Sequence, residues 1–227
     1  MSKIALILGA TGLVGGHCLE LLLAHPSDQK VVVLGRRPLD LQHPKLEQHV
    51  LNFDQLPEAS TYFQVNDVFC CLGTTTKKSG DEEKYRKFDY TYPYEAAKLA
   101  ALQGVQQFSV VTAMATNLRS PIFHLRIKAE LEEAITKLPI PTVFFIKPSL
   151  ITGVRKETRV GEEVASWVFK VLNPILVGPL RKARSIEAKV IAYAMVVLAQ
   201  QSYQGVHSIE SDQLQHFYQN SSHLKIT

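Results

Sequence analysis

Short apolar runs alternate with amphipathic stretches along most of the chain. The runs at Ile4–Leu8 and Lys30–Leu34 both end at glycine, which is typical of strands buried on both faces of a parallel sheet. Between them, Leu13–Ala24 has the apolar spacing of an amphipathic helix and stops before Pro26. Further strands are predicted at His49–Phe53, Asp67–Leu72, Gln107–Thr112, Thr142–Ile146 and Gly205–Ile209, and further helices at Asp81–Leu102, Ser120–Lys137 and Glu187–Gln200. This alternation predicts an α/β fold with a doubly wound parallel sheet, the Rossmann arrangement.

Two prolines refine the predicted helices. Ser120-Pro121 combines a good N-cap with a residue suited to the first helical position, so the helix predicted at Ser120–Lys137 is expected to begin there. Pro93 lies inside Asp81–Leu102 and predicts a kink or a break between two helices.

The composition suits one globular domain that spans residues 1–227. Of the 227 residues, 46% are hydrophobic and 20% are charged, and the mean hydropathy is zero. Residues 1–148 account for a nearly complete dinucleotide fold, which leaves 149–227 to form a small cap on the substrate side. The net charge of +4 is too small to indicate a nucleic acid partner. No run approaches the roughly 18 apolar residues of a membrane span.

The cysteines and the N-terminus bear on the cellular compartment. Cys18, Cys70 and Cys71 lack the spacing of a disulfide framework, and free thiols suit a reducing compartment. The apolar run near the N-terminus is broken at once by glycines, unlike the core of a signal peptide. The sequence therefore predicts a cytoplasmic location.

The strongest motif is Gly9-Ala10-Thr11-Gly12-Leu13-Val14-Gly15, between the first strand and the first helix. Its spacing, G-x-x-G-x-x-G, is a variant of the dinucleotide-binding fingerprint. Gly9 would allow the tight turn, Gly12 the approach of a pyrophosphate, and Gly15 the close packing of helix against strand. The N–H groups around Thr11–Val14 would then meet phosphates at the positive end of the helix. The alternative is that these are ordinary turn glycines at a strand end.

The end of the second strand favours one cofactor over another. An acidic residue there would bind the ribose 2′-hydroxyl of NAD, whereas an arginine accommodates the 2′-phosphate of NADP. This chain has Gly35-Arg36-Arg37 and no carboxylate before Asp40. We therefore expect NADP(H) in preference to NAD(H), with a solvated basic turn at Arg36 and Arg37 as the alternative.

Together with further motifs, the glycine loop resembles the atypical branch of the extended short-chain dehydrogenase/reductase superfamily. The resemblance runs from about Lys3 to Ser208 and is closest to the small branch that includes the Tat-interactive proteins and bacterial proteins named as oxidoreductases. It is carried by Gly9–Gly15, Cys70–Thr75, Asp89–Ala97, Val111–Met114 and Lys147–Leu150.

This resemblance implies positions for the rest of the cofactor site. Asp54 would lie beside the adenine. The segment Leu72-Gly73-Thr74 would pass under the adenosine and ribose. The segment from Pro148 to Leu150 would border the nicotinamide.

The resemblance also implies a catalytic site, in which this chain departs from the pattern of the superfamily. Members use a Ser at the end of the fifth strand and a Tyr-x-x-x-Lys on the next helix, where the spacing puts both side chains on one face. Here Thr112 takes the place of the Ser, Lys128 is present, and His124 stands where the Tyr is expected. An imidazole can transfer a proton near neutral pH, although the Lys128 ammonium would disfavour its charged form.

The sequence is compatible with two functions. The first is an NADPH-dependent reductase of a small carbonyl compound, with Thr112, His124 and Lys128 at the reaction centre. The second is a non-catalytic NADP(H)-binding redox sensor or protein-binding module, in which Lys128 still holds the ribose. Nucleotide-sugar epimerisation is disfavoured, because only about 80 residues follow Pro148.

Other chemistry finds little support in the sequence. The eight histidines lack metal-ligand spacing, so no metal is expected. Arg155 and Arg159 could face an anionic substrate, although a solvated loop explains them as well. The tyrosines of 85–94 suggest packing in the core or at the interface of a possible homodimer.

Overall fold

A seven-stranded parallel sheet forms the centre of the molecule, in which the computed structural model describes residues 2–74, 81–153 and 185–220. The strands are β1 (Lys3–Leu8), β2 (Asp28–Gly35), β3 (Leu46–Val50), β4 (Asp67–Cys70), β5 (Gln107–Val111), β6 (Thr142–Lys147), β7 (Ile151–Thr152), β8 (Ile186–Glu187) and β9 (Gly205–Glu210). The helices are α1 (Leu13–Ala24), α2 (Glu82–Arg86), α3 (Tyr92–Leu102), α4 (Phe123–Thr136), α5 (Ala188–Ala199) and α6 (Ser211–Asn220), with a 3₁₀ helix at Phe53–Phe63 and a π-helical turn at Lys87–Thr91.

The strand order confirms the doubly wound α/β fold. The main sheet runs β3-β2-β1-β4-β5-β6-β9, so the direction of winding reverses between β1 and β4, while β7 and β8 form a separate ribbon. In folds of this kind, ligands bind in the crevice beyond the carboxyl ends of the strands at this reversal. Leu8, the last residue of β1, pairs with Leu34 on one side and Cys70 on the other. The glycine loop therefore begins at the centre of that crevice.

Alternating residues of the strands supply two separate cores. In β1, the buried Ile7 faces the core under α1 and α5, and the buried Leu6 faces the core under the 3₁₀ helix, α3 and α4. The four residues from Ala5 to Leu8 have no exposed surface, as predicted for a strand covered on both sides. From the predicted cap, α5 packs on α1 and β9 joins the main sheet, while residues 154–184, which include Arg155 and Arg159, lie outside the described residues.

Several boundaries differ from the sequence prediction. The third strand is Leu46–Val50 and not His49–Phe53, since Phe53 instead opens the 3₁₀ helix after Asn52, whose side chain accepts a hydrogen bond from the Asp54 amide. This strand lies at the edge of the sheet with every side chain at least partly exposed, so its apolar signal is weak.

The prediction that Ser120 caps a helix is wrong. The helix α4 begins at Phe123 with Ile122 as its N-cap. The Ser120 hydroxyl oxygen instead accepts a hydrogen bond from the Ile122 amide at 3.1 Å and closes a turn ahead of the helix. Serine favours such local turns as readily as helix caps, which explains the shift of two residues.

A buried carboxylate lies at the amino ends of the strands, opposite the end of the sheet where the glycine loop lies. Asp28 is 1% exposed, and neither of its oxygens has a hydrogen-bond partner among the described residues. Burial raises the pKa of Asp28, and the attraction of His25, Lys3 and Lys45 only partly offsets that effect. Because this pKa lies above its unfolded-state value, ionisation of Asp28 costs stability as the pH rises through it.

We expect Asp28→Asn to stabilise the protein at about pH 7.5 by about 1 kcal/mol, or roughly 2–4 °C in Tm. The gain should shrink as the pH falls through the raised pKa of Asp28, because the wild-type carboxyl then becomes protonated as well. Thermal unfolding across this pH range measures it, with the exposed Asp40→Asn as the matched control. A gain that is constant with pH, or a loss at neutral pH, would contradict this account of Asp28.

Candidate functional site

The glycine loop is held together by contacts between backbone atoms. Gly9 has a φ of +89°, and a Cβ built on it would lie 2.6 Å from the Cys71 carbonyl oxygen. A Cβ on Gly15 would collide with the carbonyl group of Gly9. Any side chain at either position would therefore separate β1 from the start of α1 or from the segment after β4.

The same loop leaves the N-terminus of α1 open to the crevice. Gly12 is the N-cap and provides no side-chain hydrogen bond, and the first turn of α1 contains no acidic residue. Thr11 and Gly12 are exposed, while Leu13 is half-buried and Val14 is buried against the core. Exposed amides at the positive end of a helix are a binding site for phosphate groups. The loop therefore fits the pyrophosphate of a dinucleotide.

Cations and an aromatic cluster lie where the adenosine end is expected. The Arg36 guanidinium stacks over the Phe88 ring at 4.6 Å, and both Arg36 and Arg37 are exposed. The Tyr92 hydroxyl donates to Asp54 Oδ1 at 2.8 Å. Burial, and then the Asp54 carboxylate, raise the pKa of Tyr92 to about 12, so the hydroxyl keeps its proton.

Asp54 is therefore not an unbalanced negative charge in this region. The Lys87 ammonium lies 3.7 Å from the same oxygen, Asp54 Oδ1. Sequence reasoning missed Lys87, Phe88 and Tyr92, because they reach the crevice from the helical segment after β4. The only signal was that this segment is rich in aromatic residues.

Lys128 is anchored by a buried carboxylate. Its ammonium donates to Asp89 Oδ1 at 2.7 Å, and its side chain is 12% exposed against 0% for Asp89. Asp89 Oδ2 accepts from the Thr74 amide at 2.7 Å, and the preceding Gly73 is exposed to the crevice while Leu72 is buried. The Lys128 charge is thus paired with a buried carboxylate.

His124 lies one turn before Lys128 on α4 and is half-buried. The segment expected to border the nicotinamide is also fixed, since the Pro148 carbonyl accepts from the Met114 amide at 3.0 Å. Pro148 is buried, whereas Leu150 is 43% exposed. The structure brings Lys128 to the loop after β4 and leaves His124 on the adjacent turn of the same helix.

Thr112 faces a different group from the one expected. It is 4% exposed, and its hydroxyl donates to Glu132 Oε1 at 2.7 Å. Glu132 Oε2 accepts from Thr116 at 2.9 Å and from Lys147 at 2.9 Å. Glu132 lies eight residues after His124, or about 12 Å along the helix axis. The Thr112 hydroxyl thus donates to a carboxylate two turns along α4 from His124.

The described residues contain neither a metal-ligand cluster nor a membrane-spanning helix. No group of three or more His, Cys, Asp or Glu side chains there is placed to hold a metal ion. No helix in the same residues has the length and apolar character needed to cross a membrane.

The fold and the glycine loop define a nucleotide-binding protein of the short-chain dehydrogenase/reductase type. Solved structures agree on the fold. Bordetella bronchiseptica WbmH in complex with NAD+ matches with a TM-score of 0.68 at 13% identity, over 99% of this chain and 82% of that one. The UDP-glucose 4-epimerase from Thermotoga maritima matches with a TM-score of 0.68 at 12% identity, over 96% and 82%.

Relatives in sequence identify the family to which the chain belongs. It is 31% identical to the rat protein HTATIP2 over 172 residues, which cover 74% of this chain and 71% of the relative. It is 30% identical over 184 residues to the Candida albicans protein FMP52, mitochondrial, covering 74% and 80%. No protein-family model matches the chain. The chain belongs to the family of HTATIP2 and FMP52, within the atypical short-chain dehydrogenase/reductases.

These relatives correct one expectation. The prediction of a cytoplasmic location is wrong. The fungal relatives, from Candida albicans and Lodderomyces elongisporus among others, are named mitochondrial proteins, which contradicts that prediction. Cysteines without the spacing of a disulfide framework are compatible with more than one compartment, so they could not distinguish between them.

Two adjacent glycines of α1 test the loop geometry. We expect Gly15→Ala to destabilise the protein by about 1–3 kcal/mol, because its Cβ has no room beside Gly9. The control is Gly16→Ala, whose Cβ would lie 3.4 Å from the Ala10 carbonyl oxygen; it should be neutral or stabilising by up to about 1 kcal/mol. Urea unfolding measures both. Equal effects of the two substitutions would contradict the proposed packing.

Proposed function

We propose that this protein binds NADP(H) and transfers a hydride between this cofactor and a small carbonyl compound. The observation that carries the proposal is the glycine loop, whose close backbone packing leaves the amides at the start of α1 open to a pyrophosphate. Lys128, held in the same crevice, supports placement of a ribose beside α4.

The reaction needs little more from the chain than placement and one proton. When bound, the cofactor supplies or accepts the hydride at the nicotinamide ring. Lys128 positions the ribose, and Pro148 and Leu150 line the edge of the ring. In the direction of reduction, the carbonyl carbon accepts the hydride and His124 in its protonated form donates a proton to the carbonyl oxygen, giving an alcohol.

Thr112 does not keep its expected part in this proposal. A carbonyl oxygen would have to take the hydroxyl proton that Thr112 now donates to Glu132 at 2.7 Å. A charged acceptor holds such a proton more strongly than a neutral carbonyl does. We therefore assign Thr112 to the support of α4 against the ends of β5 and β6.

The preference for NADP(H) rests on the charge around the adenosine end. Arg36 and Arg37 are exposed there, and the nearest carboxylate, Asp54, already interacts with Tyr92 and Lys87. A 2′-phosphate would meet two guanidinium groups, while the negative charge of Asp54, which would suit a 2′-hydroxyl, already has Lys87 beside it. WbmH was solved with NAD+, but a likeness at 13% identity bears on the fold alone.

We expect Arg36→Ala to weaken binding of NADPH by about tenfold or more and to change binding of NADH far less. Fluorescence titration of both dinucleotides measures the ratio of the two Kd values. The exposed Arg119→Ala, on the loop before α4, is the matched control and should change neither value. If the wild type binds both dinucleotides equally well, the argument from the 2′-phosphate fails.

A second function is favoured by a specific observation at the reaction centre. The tyrosine of the superfamily is replaced by His124, and the Thr112 hydroxyl is bound to Glu132, so both usual hydroxyl donors are missing or engaged. On this reading the protein is a non-catalytic NADP(H)-binding redox sensor or protein-binding module, with Lys128 kept for the cofactor.

Substitution of His124 separates the two functions. If the protein is a reductase, we expect His124→Ala to lower kcat with a panel of aldehydes and ketones by about 100-fold and to leave the Kd for NADPH nearly unchanged. Oxidation of NADPH is followed at 340 nm, and His216→Ala, an exposed histidine on α6, is the control. No turnover by the wild type, together with strong new turnover by His124→Tyr, would reject the reductase and favour the sensor.

A further inference from the structure

The carboxylate of Asp89 joins two parts of the crevice that the sequence separates. Oδ2 accepts from the backbone amide of Thr74, at the end of the segment after β4, at 2.7 Å. Oδ1 accepts from the ammonium of Lys128, on α4, at 2.7 Å. A Cβ on Gly73 would lie 3.5 Å from Oδ1, so the chain passes directly over this group.

The local backbone explains how Asp89 reaches this position. It lies within the π-helical turn at Lys87–Thr91, between α2 and α3, and is the one residue of that turn with a buried side chain. A π-helical turn widens a helix by one residue, which changes the direction of the side chains that follow, and such turns often occur at functional sites. Here the turn directs a carboxylate into the interior, where its side chain has no exposed surface.

Burial of a charge requires compensation, and Asp89 has two hydrogen-bond donors around it, the Thr74 amide and the Lys128 ammonium. Tyr85 lies beside the same carboxylate, and burial, followed by the negative charge of Asp89, raises the pKa of Tyr85. Tyr85 is 3% exposed and packs edge-on against Phe123 at the start of α4, with 5.7 Å between the ring centroids. An acceptor-only group therefore suits this site, while an amide would place a donor against a donor.

We propose that Asp89 is a positioning residue, which holds the Lys128 ammonium and the Gly73–Thr74 backbone in one fixed arrangement for the cofactor. The lysine that would bind the nicotinamide ribose and the loop that would pass under the adenosine are then set by the same carboxylate. Removal of this carboxylate should loosen both at once. Only the affinity measurement for this inference rests on the proposed function.

The affinity test is a double-mutant cycle on the full chain. We expect Asp89→Asn and Lys128→Met each to raise the Kd for NADPH by about tenfold or more. The Kd of the double variant should rise by far less than the product of the two single increases, because both substitutions remove the same ion pair. The control is Asp81→Asn on the same segment, an exposed N-cap that contacts the Lys84 amide and should leave the Kd unchanged.

Two further measurements need no cofactor. Hydrogen exchange of the Thr74 amide should speed up by about tenfold or more in Asp89→Asn, while the amides of β1 keep their protection. Acetylation of Lys128, followed by mass spectrometry, should also be faster in Asp89→Asn than in the wild type. If the Thr74 amide loses its protection against exchange while the amides of β1 keep theirs, the effect of Asp89→Asn is local. This result separates a positioning role of Asp89 from a general contribution to stability.

The outcomes distinguish this inference from the proposed function. If the wild type binds NADPH but shows no hydride transfer, the reductase is rejected and the affinity cycle still decides the role of Asp89. If the wild type does not bind NADPH, the proposed function fails, and exchange at Thr74 with labelling at Lys128 decides instead. Two results would overturn the proposed role of Asp89. One is that Asp89→Asn shows the same exchange rate at Thr74 and the same acetylation rate at Lys128 as the wild type. The other is that the losses of NADPH affinity in the two single variants multiply fully in the double variant.

Discussion

The contact between backbone atoms beneath the glycine loop is the constraint on which the rest of the site depends. Gly15 packs against the carbonyl of Gly9, and Gly9 packs against the carbonyl of Cys71, at distances that leave no space for a methyl group. These contacts join β1, α1 and the segment after β4 at the point where the sheet reverses its winding. They also direct the free amides of α1 toward the crevice, where an anionic group can reach them.

The distribution of charge follows from the same arrangement. Among the described residues, Asp54, Asp89 and Glu132 are carboxylates engaged by donors of the protein: Asp54 by Tyr92, Asp89 by Lys128, and Glu132 by Lys147. Arginine side chains and helix amides remain exposed, so the crevice offers a dinucleotide mainly hydrogen-bond donors and positive charge. This distribution of charge favours the binding of a pyrophosphate, because unpaired carboxylates would repel its negative charge.

Elements with strong local signals could be predicted from the sequence, and contacts across the chain could not. The helix Leu13–Ala24 was predicted with its observed bounds, because the glycines before it and Pro26 after it limit it on both sides. The edge strand β3 was misplaced, since its exposed residues leave little periodicity to detect. The pairing of Asp89 with Lys128 joins residues 39 apart, and the π-helical turn that makes it possible has no known pattern in one sequence. The same holds for Thr112, whose partner Glu132 lies 20 residues away.

We propose that this member of the HTATIP2 and FMP52 family recognises the 2′-phosphate of NADP(H) through exposed arginines beside its glycine loop. Calorimetric titration of the wild-type chain with NADPH and NADH at several salt concentrations tests this proposal. We expect one molecule of NADPH to bind per chain, about tenfold more tightly than NADH at low salt, with a difference in affinity that narrows as salt screens the exposed charges. Equal affinities at every salt concentration, or no binding of either dinucleotide, would contradict it.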